Sequence, residues 1–148
     1  MCGAADVLEH AGESGLRSTV LAVLAEVLFQ LGKYEEAEER TRLSEQASSA
    51  EDVLSHTLWR ATRAKVLATR GETQEAVRLA GEAVEWARRS DALAPLGDVL
   101  FSRGEVLSLL GREDEARKTF EEALEVYERK GIVPSIERTR AALAALSG

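Results

Sequence analysis

One cysteine, two prolines and 5% aromatic residues are all that 148 positions hold of those types. A lone thiol, Cys2, excludes an intrachain disulfide framework and a cysteine-based zinc site. Basic residues are also short: 19 Lys and Arg stand against 26 Asp and Glu, a net charge of −7. That balance argues against a nucleic-acid partner and against an anionic membrane surface, since both need a basic patch. No apolar run approaches the roughly 20 residues of a membrane-spanning helix, and no signal peptide opens the chain. The expected location is cytoplasmic.

The chemistry of a catalytic or metal site is missing as well. His10 and His56 are the two histidines, and no metal-ligand spacing ties either to a carboxylate cluster, so both read as surface or half-buried imidazoles. Gly12-Glu13-Ser14-Gly15 has no strand before it and no lysine after it, and reads as a loop between helices rather than a phosphate cradle. No serine sits in a G-x-S-x-G elbow. Carboxylates pair with arginine at helix-surface spacings, as in Glu113–Arg117 and Glu125–Arg129. Trp59 and Trp86 fall where packing wants bulk. We therefore expect no enzyme, no cofactor and no metal.

What is present is helix-forming residues and a repeat. Ala, Leu, Glu and Arg dominate, which argues against a β-sandwich, and 45% hydrophobic with 30% charged residues suits a folded chain. Three segments align, 24–39, 63–78 and 103–118. Their glycines, Gly32, Gly71 and Gly111, lie 39 and 40 residues apart. Ala25, Ala64 and Gly104 precede them by seven residues, and Leu28, Leu67 and Leu107 by four. Ala37, Ala76 and Ala116 follow by five, and Ser44, Ala83 and Ala123 by twelve. A glycine that ends one helix in a left-handed conformation, followed by carboxylates suited to the positive end of the next, is an αα-hairpin. Small residues mark where its two helices touch closely.

The expected fold is all-α: a right-handed α-solenoid of about three helical hairpins in a single domain, 1–148. The repeats cover about 14–50, 51–90 and 91–130. A short leading helix occupies about 4–11, and residues 4–13 look like the second helix of a missing hairpin. A C-terminal capping helix occupies 133–147, with Pro134 in its first turn. Ser and Asp in the loops 48–52 and 90–92 are placed to cap helices. Arg63 and Arg103 share a column with Leu24, so each guanidinium is expected to reach a carboxylate or carbonyl while its stem covers apolar surface.

The columns resemble the tetratricopeptide repeat, with small residues on the inner faces, a glycine at the turn and an alanine early in the second helix. Phe120 and Tyr34 stand where that family favours aromatics. The resemblance covers nearly the whole chain and departs in period, 39–40 against the usual 34, as in the family's long-helix variants. It implies a concave face on the first helices of the hairpins. Helical periodicity puts Ala22, Glu26, Phe29 and Gln30 there from the first repeat. It adds Ala61, Lys65, Ala68 and Thr69 from the second, and Phe101, Glu105, Ser108 and Leu109 from the third. Phe29, Phe101 and Leu109 are candidate anchors for an amphipathic helix. The basic clamp with which some family members grip a C-terminal carboxylate is not matched, since Lys65 is the one cation among Ala22, Glu26 and Ala61.

Residues 58–88 and 111–131 are also similar to the C-terminal tails of large bacterial signalling proteins that carry a class III adenylate/guanylate cyclase or another effector with a regulatory ATPase. This implies a non-catalytic interaction or regulatory module, the excised tail of a larger cytoplasmic protein. It would dock on a protein or peptide partner, including its own upstream domains. The alternative is a peptide or small-ligand sensor that uses the groove directly. Uncapped repeat ends would also allow a homodimer.

Overall fold

The structure, a computed structural model, describes residues 14–147. Cys2, His10, Gly12, Glu13 and the leading helix expected over 4–11 lie outside the described residues. Seven helices and no strand make up the described part: α1 (Ser14–Gln30), α2 (Tyr34–Ala47), α3 (Val53–Thr69), α4 (Thr73–Ala87), α5 (Leu93–Leu109), α6 (Glu113–Lys130) and α7 (Val133–Ser147). Ser14 and Gly15 belong to α1 rather than to a loop.

The three turn glycines have φ of +79°, +76° and +77°, the left-handed region in which a side chain is strained. At each, the residue after the glycine donates its N–H to the carbonyl of the leucine four before it: Lys33 to Leu28, Glu72 to Leu67, Arg112 to Leu107. The turn thus satisfies carbonyls that the ending helix would leave open. The next helix opens on acid, with Glu35 and Glu36, Glu75, or Glu113 to Glu115 in its first turn. Gly131, φ +78°, repeats the device between α6 and α7.

Hairpins α1–α2, α3–α4 and α5–α6 stack in sequence, first helix against first helix and second helix against the next first helix. The small-residue columns lie at the contacts: Ala25, Ala64, Ala37, Ala76, Ala116, Ser44, Ala83 and Ala123 are all 0% exposed. In the third hairpin the contact is closer. A Cβ on Gly104 would stand 2.5 Å from the Phe120 ring, and one on Gly97 would stand 2.6 Å from the Tyr127 ring. Both aromatics are buried, and the glycines make room for them.

Hydroxyl groups tie the first hairpin to the second. Ser18 donates to Asp52 Oδ2 (2.6 Å) and lies 2.8 Å from the Ser55 hydroxyl, while Ser44 donates to the Ser18 carbonyl. Asp52 also caps α3 by accepting the Ser55 N–H. The matching expectation for 90–92 fails. Ala92 takes the cap position of α5 with no side-chain cap, and Ser90 accepts the Ala92 N–H within the loop. Arg63 meets its expectation: its Nε donates to the Thr41 hydroxyl (3.1 Å), and its buried Nη2 forms an ion pair with Glu45 (3.0 Å) without hydrogen-bond alignment. Arg103 does not: its Nε is buried with no hydrogen-bond partner, and no ion pair among the described residues includes it. The reason lies in the columns. Nine and thirteen residues past the turn, the first repeat has Thr41 and Glu45, but the second has Ala80 and Val84.

Candidate functional site

The first helices α1, α3 and α5, joined by α7, enclose a groove of about 1060 Å³. This is slightly above the usual range for small-molecule pockets. Its floor is built from two repeat columns. Ten residues before each turn glycine stand Ala22, Ala61 and Phe101; six before stand Glu26, Lys65 and Glu105. The repeat therefore sets a glutamate, a lysine and a glutamate side by side across three neighbouring helices.

Lys65 is the centre of this row and is 2% exposed. Its Nζ donates to Glu26 Oε2 at 2.7 Å and lies 3.6 Å from Glu105 Oε1, with the Phe29 ring 5.0 Å away. A buried ammonium is tolerable only with such compensation. Glu26 accepts also from the Thr62 hydroxyl (2.9 Å) and the Gln30 amide (2.7 Å). Glu105 has the longer arm. Burial pushes its carboxyl up, Lys65 pulls it back, the Glu26 charge adds to the rise and Arg138 offsets part; the balance lies above the usual glutamate range.

The far wall comes from α7. Arg138 lies over the Phe101 ring at 4.0 Å and donates to the Tyr127 hydroxyl, which itself donates to Asp98. Burial and the Asp98 carboxylate push the Tyr127 phenol well above its ordinary range. The near wall is apolar and open: Val23, Val27 and Leu54 are 50%, 48% and 43% exposed.

Seven of the residues expected on this face line the groove: Ala22, Glu26, Gln30, Ala61, Lys65, Phe101 and Glu105. Phe29, Ala68, Thr69, Ser108 and Leu109 do not. They lie near the turn end of the first helices, where Gln30 is the expected residue that reaches the groove. Phe29 instead packs on Tyr34 at 5.2 Å, and Thr69 bonds the Val66 carbonyl. Of the candidate anchors, Phe101 lines the groove and Phe29 and Leu109 do not. Phe101 is 7% exposed and packs on Phe120, while Leu109 is exposed but away from the groove; the open apolar groups are the near-wall aliphatics. The contribution of α7, including Pro134, Ser135, Arg138 and Ala142, was missed because that helix read only as a cap. Its signal was Gly131, which turns the chain as the hairpin glycines do.

A second cluster lies across α3 and α4. Arg60 stacks over Trp59 (4.2 Å) and Trp86 (5.0 Å), Arg89 over Trp86 (3.8 Å) and Arg63 over Trp59 (4.4 Å). His56 stacks on Trp86 at 4.3 Å; its Nδ1 accepts from Arg60 and Trp59, so its Nε2 donates to the Ser49 carbonyl. Trp59 is core, 2% exposed, and Arg60 is closed by Glu82. These contacts fasten the second hairpin. Among the described residues no group of three metal-ligating side chains is found, and no helix is long and apolar enough to cross a membrane.

The family model described as tetratricopeptide repeat matches residues 54–129. No curated protein matches the chain. Among solved structures, a TPR-like protein from Chlorobium tepidum is similar with a TM-score of 0.63 and 22% identity, over 91% of this chain and 99% of that one. At that identity the likeness speaks for the fold.

Proposed function

From the premise that the chain belongs to the tetratricopeptide-repeat family, whose members are protein-interaction modules, we propose that it acts without catalysis by docking a protein segment in the groove of α1, α3, α5 and α7. The observation that carries this is the groove itself, a concavity of about 1060 Å³ with an open aliphatic wall and a charged floor. Helix-in-groove recognition needs that combination: apolar contact for affinity and fixed polar groups for register. Photo-crosslinking tests it. A benzophenone side chain at Ser102, in the groove, is expected to capture a defined partner segment. The same group at Glu121, exposed on α6, is expected to capture none. Equal capture from both positions contradicts the reading.

We propose further that the module is the regulatory tail of a larger cytoplasmic signalling protein, docking on that protein's own upstream domains. The likeness of residues 58–88 and 111–131 to cyclase-linked tails supports this. The full open reading frame tests it: an effector or ATPase domain upstream is the expected result, and a frame limited to the repeats contradicts it.

A further inference from the structure

We propose that the occupant of the groove is a basic amphipathic helix of a partner protein, with an apolar face on Val23, Val27 and Leu54 and one lysine or arginine turned down onto Glu105. The proposal rests on the reading of the groove as a docking site and names the class of ligand it takes.

The charges lining the groove do not balance. Glu26, Asp98 and Glu105 stand against Lys65 and Arg138, three carboxylates to two cations. Lys65 is drawn to one side, at 2.7 Å from Glu26 and 3.6 Å from Glu105. Arg138 is occupied by the Phe101 face and the Tyr127 hydroxyl. Glu26 already accepts from three donors. Asp98, exposed at the groove edge, accepts from Tyr127 and keeps acceptor capacity, and so does Glu105, whose contact with Lys65 is the longer one; of the two, Glu105 lies on the floor beside the buried ammonium. Its side chain is 37% exposed, open to a ligand from the groove side. Its carboxyl, held above the usual range by burial and by Glu26, is the group an added cation would relieve. The chain's net charge of −7 acts in the same direction at long range and steers a basic segment inward. The aliphatic wall and Glu105 line the same groove, the wall on its α1 side and the carboxylate on α5, so a helix laid across it meets both.

The test is selection from a phage library of 18-residue helical peptides, randomised on one face, against the whole chain. Enriched peptides are expected to carry Lys or Arg inside an apolar stripe. Glu105→Gln, or exchange of that basic residue for Glu, should weaken them roughly ten-fold, and added salt should weaken them further. The control is the pair Val23→Ser and Leu54→Ser, both at exposed positions, which removes the wall without touching a charge. Acidic or uncharged winners overturn the basic occupant, as does an affinity that Glu105→Gln leaves unchanged while the wall variant weakens it. In either case the groove reading stands. Winners indifferent to the wall variant overturn the groove reading itself.

Discussion

At the scale of single residues, size and charge are matched column by column. Gly104 faces Phe120, and the same two columns hold Ala25 with Thr41 and Ala64 with Ala80. A methyl group added to Gly104 must displace a buried ring that is itself wedged against Phe101. Gly104→Ala should therefore cost roughly 1–3 kcal/mol in denaturant titration, although alanine is the better helix former. Phe120→Leu in the same chain should recover part of that loss, a coupling that additive costs would contradict. The row of Glu26, Lys65 and Glu105 behaves in a comparable way. Lys65→Met leaves two carboxylates facing each other and should cost roughly 1–3 kcal/mol, less than a fully buried pair because both glutamates reach solvent. Adding Glu26→Gln and Glu105→Gln should restore most of it.

Two of these groups give stability opposite dependences on pH. Glu105 keeps its proton to higher pH folded than unfolded, so its contribution is complete below the ordinary glutamate value of 4.5 and is lost as pH rises through its raised value. For Asp52, burial alone would raise the carboxyl, but bonds from Ser18 and Ser55 outweigh it and the balance is lowered. Its contribution is present above the ordinary aspartate value of 3.8 and is lost as pH falls through the lowered one. Thermal melts across pH check both: Glu105→Gln should flatten the decline above 4.5, and Asp52→Asn should flatten the acid limb.

At the scale of helices, the alanine five residues past each turn fixes how closely a hairpin closes. Ala76 is 0% exposed between α3 and α4, and Ala76→Leu should overpack that contact by roughly 1–3 kcal/mol. A melting temperature that does not move would put the repeat register in error. The helices themselves were legible because turn glycine, acidic start and small column recur together, so each local signal agrees with the others. The pairing of Arg103 was not legible from its own column. It depends on what α4 offers opposite, and Ala80 and Val84 replace the acceptors that Thr41 and Glu45 give Arg63. On α1, Leu16, Val20 and Leu24 are 43–47% exposed on one face that continues into the groove wall. A patch of this kind favours association. Sedimentation should show concentration-dependent self-association that Leu24→Lys weakens; a clean monomer at high micromolar concentration contradicts it.

At the scale of the whole molecule, function resides in what the stacked first helices hold in common. The column of Glu26, Lys65 and Glu105 could be read from spacing because a repeat places equivalent residues side by side. The fourth wall could not, because α7 continues the stack without repeating the sequence columns, and Arg138 becomes a groove residue only through the turn at Gly131. The most direct measurement is an amide chemical-shift map of the nitrogen-15-labelled chain, titrated with the tightest peptide from the library. Shifts are expected in the groove stretches of α1, α3, α5 and α7, around Glu26, Lys65, Glu105 and Arg138, with α2, α4 and α6 unmoved. Shifts gathered on those second helices, or on the Trp59–Trp86 cluster, would contradict the groove reading.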